Sequence, residues 1–125
     1  MTNDELKKRA KKFALSVIFL AEKLPNTPIG RTICNQIIRS ATSVGANYRA
    51  ACRARRRSDF ISKITIVEVE FDETLYWLEI IAESGLIESE IVEKKIDEAN
   101  ELTAIFTASG KTARQNNLKY KSIKS

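Results

Sequence analysis

The chain has no histidine. That absence removes the commonest general base, the commonest metal ligand and every Ser/His or Cys/His nucleophile pair. It also excludes a di-iron bundle, which requires Glu-x-x-His. Carboxylates do recur at i, i+4, as Glu68/Asp72 and Glu79/Glu83, and they read as a solvated acidic helix face; no metal and no cofactor are expected. Cysteine is nearly absent. Cys34 and Cys52 fall on one helical pattern, 18 residues apart, hence about 27 Å along its axis. A disulfide spans Cα atoms within about 7 Å, so the two read as small buried thiols in a cytoplasmic protein. Long hydrophobic runs are missing as well: nothing approaches 18 uninterrupted apolar residues, which excludes a membrane span. Basic residues before Phe13–Ala21 raise the question of a signal peptide, but Glu22 and Lys23 follow in place of a small-residue cleavage site. Gly110-Lys111-Thr112 resembles the end of a phosphate-binding loop; Ile105 stands where the earlier glycine belongs, and a helical pattern precedes it instead of a strand. The parts of a hydrolytic or transfer enzyme are not there, and the expectation is a protein that is not an enzyme.

Two prolines and four glycines in 125 residues leave few breaks, and four amphipathic stretches lie between them. At this length one domain is expected, burying roughly two-thirds of the unfolded chain's surface. In the first stretch Leu6, Ala10, Phe13, Val17, Leu20 and Leu24 are spaced 4-3-4-3-4 on one stripe. Thr2 and Glu5 have capping-box spacing, and Pro25 stops the helix. The second opens at Thr27-Pro28, an N-cap with proline at the first helical position. It buries Ile33, Ile37, Ala41, Val44, Tyr48 and Ala51, with Gly45 implying a close approach. The third starts near Ser58-Asp59. Its β-branched segment Ile64–Phe71 fails strand alternation but fits a helical face of Ile64, Val67, Phe71, Leu75, Leu78 and Ala82, ending at Gly85 as a left-handed cap. The fourth runs from about Ser89 through Val92, Ile96, Ala99, Leu102 and Phe106. The expected architecture is an all-α, antiparallel up-down four-helix bundle over 1–110, followed by a basic, disordered tail over 111–125.

Charge is strongly segregated along the chain. Residues 1–60 carry 13 Lys/Arg against 4 Asp/Glu, residues 61–110 carry 3 against 12, and residues 111–125 carry 5 against none. The basic excess peaks at Arg49, Arg53, Arg55, Arg56 and Arg57. On a continuous helix Arg49, Arg53 and Arg56 form one ridge with Arg57 alongside and Arg55 further round. Lys8, Lys11 and Lys12 make a second basic patch. Cations near a helix C-terminus complement its dipole, but five arginines within nine positions exceed what that effect explains. Guanidinium groups in such a cluster grip phosphates bidentately and release counterions.

The run Gln36-Ile37-Ile38-Arg39-Ser40-Ala41-Thr42-Ser43-Val44-Gly45-Ala46-Asn47-Tyr48, with Asp59-Phe60-Ile61 and Glu73-Thr74-Leu75-Tyr76-Trp77-Leu78, resembles the bacterial four helix bundle protein family. That family includes proteins encoded within intervening sequences of large-subunit ribosomal RNA genes, often labelled ribosomal-protein-like. The accessory protein of diversity-generating retroelements is similar. Where many relatives continue with Glu-Gly or Glu-Ala, this chain has Arg49-Ala50-Ala51. The resemblance implies an up-down bundle assembling into a ring-like homopentamer with a basic surface, and structural roles for Arg39 and Asn47. It carries over no enzymatic activity.

Together these features point to a non-catalytic, oligomeric protein that binds RNA or DNA backbone through Arg49, Arg53, Arg55, Arg56 and Arg57, assisted by Lys8, Lys11 and Lys12. The competing expectation is a scaffold whose arginines dock an acidic protein partner such as a reverse transcriptase. A basic second helix meeting an acidic third helix between subunits would serve assembly.

Overall fold

The computed structural model describes the backbone of residues 1–124 and the side chains of residues 1–119. It consists of four helices, α1 (Asn3–Ala21), α2 (Pro28–Cys52), α3 (Arg57–Ser84) and α4 (Ser89–Lys124), with no strand among the described residues. Three of the helix boundaries follow from local chemistry. The Glu5 N–H donates to the Thr2 hydroxyl and the Thr2 N–H to the Glu5 carboxylate, both at 3.1 Å, closing the capping box of α1. The Thr27 hydroxyl accepts from the Gly30 N–H at 3.1 Å, with Pro28 at the first position of α2. Gly85 ends α3 at φ 75°, where a side chain would be strained. A Cβ on Gly30 would lie 1.9 Å from the Pro25 carbonyl oxygen. Glycine there lets the α1–α2 connection fold back against the start of α2.

Each helix packs on the next, and α1 also touches α4. Tyr48 of α2 donates to Asn3 of α1 at 3.2 Å while Gly45 faces Ala10, so these two helices run antiparallel. The same holds for α3 and α4, where Phe71 meets Phe106 and Glu68 meets Arg114. The centre of the core is aromatic. Phe71 stands between Phe13 and Phe106, with ring centroids at 5.7 and 5.4 Å, and Tyr48 meets Phe106 edge-on at 4.8 Å.

Leu24 and Ile96, expected on the apolar stripes, are only half-buried, and larger differences from the sequence reading arise on α3, α2 and α4. On α3, Thr74 and Ile81 are fully buried while Leu75 and Ala82 are only half-buried. The stripe keeps strict 3-4 spacing through a threonine whose hydroxyl is satisfied: Thr74 Oγ1 lies 2.8 Å from both the Glu70 carbonyl and Ser40 Oγ. On α2, a Cβ added to Gly45 would come no closer than 3.9 Å to its nearest neighbours, Ala10 and Lys11, so among the described residues no contact requires glycine at that position. The third difference concerns α4, which passes through Gly110 and stays helical to Lys124, where the sequence pattern predicts an end and a disordered tail. The buried stripe continues past Phe106 through Gly110 and half-buried Ala113, residues too small to register as a hydrophobic face. A Cβ on Gly110 would meet Ile64 Cγ2 at 2.7 Å, so α3 and α4 approach closely there.

Candidate nucleic-acid interface

Up-down topology converts the charge split along the chain into a split between the two ends of the bundle. The first turns of α1, the α2–α3 connection and the last described turns of α4 share one end. Residues 1–12, 45–66 and 106–119, which build that end, contain 14 Lys/Arg and 3 Asp/Glu; the remaining residues up to 119 contain 5 and 13. Lys8, Lys11 and Lys12 lie exposed on α1 in the same half as the arginines, but on a separate helix.

The arginines do not form a single helical ridge. Helix α2 ends at Cys52, with Arg53 as its C-cap; the Arg53 and Ala54 N–H groups bond back to Ala50 and Ala51, tightening the last turn. Arg56 is extended (φ −110°, ψ 145°) and opens α3 as its N-cap, followed by Arg57. Arg49 therefore sits on α2, Arg53, Arg55 and Arg56 on the connection, and Arg57 on α3. Neither glycine nor proline marks this break, so the periodicity reads straight across it.

The new positions change the electrostatic argument. Arg49 and Arg53 complement the negative end of α2. Arg56 and Arg57 stand at the positive end of α3, where a cation is disfavoured, and Arg56 makes no side-chain capping bond. Asp59 is the acid in that first turn. Among the described residues, no ion pair or hydrogen bond engages the side chains of Lys8, Lys11, Lys12, Arg49, Arg53, Arg55 or Arg56. Arg57 donates to the Asn116 carbonyl at 3.1 Å, tying the connection to α4.

Other arginines are committed to internal partners. Arg9 joins α1 to α4 through Glu98 and Glu101, at 3.1 and 3.3 Å. Arg114 joins α4 to α3 through Glu68 at 2.9 Å and Thr65 at 3.0 Å. Arg39 joins α2 to α3 through Glu70 and Glu73, so it packs helices together inside one chain. Part of the complementarity between α2 and α3 is thus satisfied within the chain and not between subunits. Asn47 bonds to Ser43 within α2. Tyr48, buried, has its phenol pushed upward by desolvation first and by the neighbouring Cys52 second; it is a core residue. Cys34 and Cys52 are both free thiols.

The Arg39 pairing makes stability depend on pH. Hydrogen bonding from Arg39, aided by the Trp77 indole N–H at 3.4 Å, holds the Glu73 carboxyl below the usual carboxylate range. A carboxyl whose folded-state pKa is depressed contributes stability above its unfolded value, and that contribution is lost as pH falls through the folded one. Arg39→Met is expected to be slightly less stable than the parent at pH 7, the pair being solvent-screened. The difference should shrink as pH falls through the depressed carboxylate range of Glu73, which urea midpoints across a pH series would show; a constant difference would contradict the linkage.

What sequence reasoning missed is a cleft of about 400 Å³ beside the connection, bounded by Arg55, Arg56, Arg57, Phe60, Ala113 and Asn116. Its α4 wall is built from the segment expected to be disordered. Among the described residues no group of His, Cys, Asp and Glu is arranged to hold a metal ion.

A four-helix all-α bundle with one basic end defines a class of small helical proteins. Within that class, the chain belongs to the 23S rRNA-intervening sequence protein family, whose model matches residues 2–108. It is similar to the crystal structure of a protein with unknown function from the S23 ribosomal protein family of Bacteroides thetaiotaomicron. The two share 33% identity over 89% of this chain and 99% of that one, with a TM-score of 0.81. No curated protein matches the sequence. No described helix is long and apolar enough to cross a membrane.

Proposed function

We propose that this protein is a non-catalytic, oligomeric binding protein whose basic end engages the phosphate backbone of RNA or DNA. The observation that carries the reading is the placement of Arg56. At the N-cap of α3 it opposes the helix dipole, and among the described residues no acid pairs with Arg53, Arg55 or Arg56. The dipole disfavours a cation at that position, whereas phosphate binding gains from it. Arg49, Arg53, Arg55, Arg56 and Arg57 make the principal contacts, and Lys8, Lys11 and Lys12 extend the field. With no base-reading motif, binding follows the backbone and not the sequence. The family's association with ribosomal RNA genes supports a nucleic-acid partner. Assembly into a homopentamer rests on the resemblance. It suits the large apolar side chains left at the surface, Phe19 at 64%, Val69 at 60% and Tyr76 at 55% exposed.

Fluorescence anisotropy of nucleic-acid-free protein with labelled RNA and DNA duplexes, run across a salt series, tests the reading. Neutralising about five phosphates gives a log–log slope of about −4 to −5. A flat salt response overturns the proposal. Absence of binding at low salt transfers the arginines to an acidic protein partner.

A further inference from the structure

The cleft beside the α2–α3 connection has a shape that backbone binding alone does not use. Three segments wall it: the connection at Arg55 and Arg56, the first turn of α3 as far as Phe60, and α4 at Ala113 and Asn116. Among the described residues no carboxylate lines it. Among the described residues no ion pair or hydrogen bond engages the exposed Arg55 and Arg56 side chains, Phe60 is half-buried with part of its ring against the core, and Arg57 donates to the Asn116 carbonyl on the α4 side. We infer that this cleft seats the terminal phosphate of a nucleic-acid strand, with the end base resting on Phe60. The inference rests on the nucleic-acid reading above and names the part of the strand that the connection recognises.

Charge separates a strand end from the middle of a strand. A terminal phosphomonoester carries a charge of about −1.5 to −2 and three acceptor oxygens, whereas an internal diester carries a single negative charge. Two adjacent guanidinium groups that no described acid pairs with are matched to the former. A half-buried phenyl ring at the same recess offers the terminal base a stacking surface of the kind single-strand binders use.

The test uses the full chain and one internally labelled single strand in three forms: 5′-phosphorylated, 3′-phosphorylated, and hydroxyl at both ends. At least one phosphorylated form is expected to bind about tenfold or more tightly than the hydroxyl form, the effect of one charge-assisted hydrogen bond. Arg55→Ala/Arg56→Ala should bring that ratio to about one while salt-sensitive binding persists. Phe60→Leu, which keeps apolar packing, should lower the ratio in part without changing the thermal melt. Equal binding of the three forms by the wild type overturns this inference and leaves the backbone reading standing. No binding of any form overturns both. Displacement of the phosphorylated strand by an equal concentration of mononucleotide overturns the strand end in favour of the free nucleotide.

Discussion

Phe71→Ala is expected to destabilise the bundle by about 3–5 kcal/mol. Phe71 is 0% exposed and sits midway along α3, packed against Phe13 from α1 and Phe106 from α4. Removing its ring deletes the transfer free energy of the side chain and the packing of both neighbouring rings, and it leaves a cavity that three rigid helices cannot collapse to fill. Because Phe106 also carries Tyr48, the loss spreads to α2. Small domains are stable by only about 5–15 kcal/mol, so the variant should populate unfolded states near room temperature. Urea unfolding of the variant beside Phe19→Ala checks this. Phe19 is large but 64% exposed, and its truncation should move a protomer's stability by no more than about 0.5 kcal/mol. Equal losses for the two variants would mean that the aromatic centre is not where the structure places it.

The contrast between Phe71 and Phe19 also marks what periodicity reveals. Phe71 falls on a stripe with Ile64 and Val67, and its burial is legible from spacing alone. So are the starts of α1 and α2 and the end of α3, because each carries its own signal: a threonine with a glutamate three positions on, a Thr-Pro pair, and a glycine needed at positive φ. Where the chain supplies no such signal, periodicity misleads. Thr74 is buried because Ser40 and the Glu70 carbonyl lie beside its hydroxyl, and both partners come from the fold. The continuation of α4 depends on Gly110 allowing α3 close and on Arg114 reaching Glu68 and Thr65. Glycine taken alone reads as a stop, and only packing shows it to be an approach.

The candidate site is legible in composition and not in geometry. Counting arginines locates the cluster, but the break between α2 and α3 carries neither glycine nor proline, and five basic residues fit a helical wheel as well as they fit a turn. The decisive fact, that Arg56 and Arg57 stand at a helix start, requires the break itself. The cleft requires more: a wall from α4, whose Asn116 lies 59 residues beyond Arg57.

That geometry makes charge reversal unusually clean. Arg53→Glu/Arg56→Glu is expected to weaken duplex binding at low salt by at least about 100-fold, since hydrogen bonds to charged groups contribute about 1.5–3 kcal/mol each. The log–log salt slope should fall in magnitude by about 1.8, at about 0.9 for each phosphate that is no longer neutralised. Folding should be almost unaffected. Arg53 caps the end of α2, where an anion is unfavourable by about 0.3–1 kcal/mol. Arg56 caps the start of α3, where an anion is favourable by a similar amount. Among the described residues neither side chain has an ion pair or hydrogen bond to lose. The two changes in stability oppose each other while the two changes in binding add, so a drop in affinity with an unchanged urea midpoint cannot be assigned to unfolding. Were affinity to survive the reversal, the connection would not be the phosphate-binding surface. The lysines of α1, tested by Lys8→Glu/Lys12→Glu in the same salt series, would then have to carry the binding.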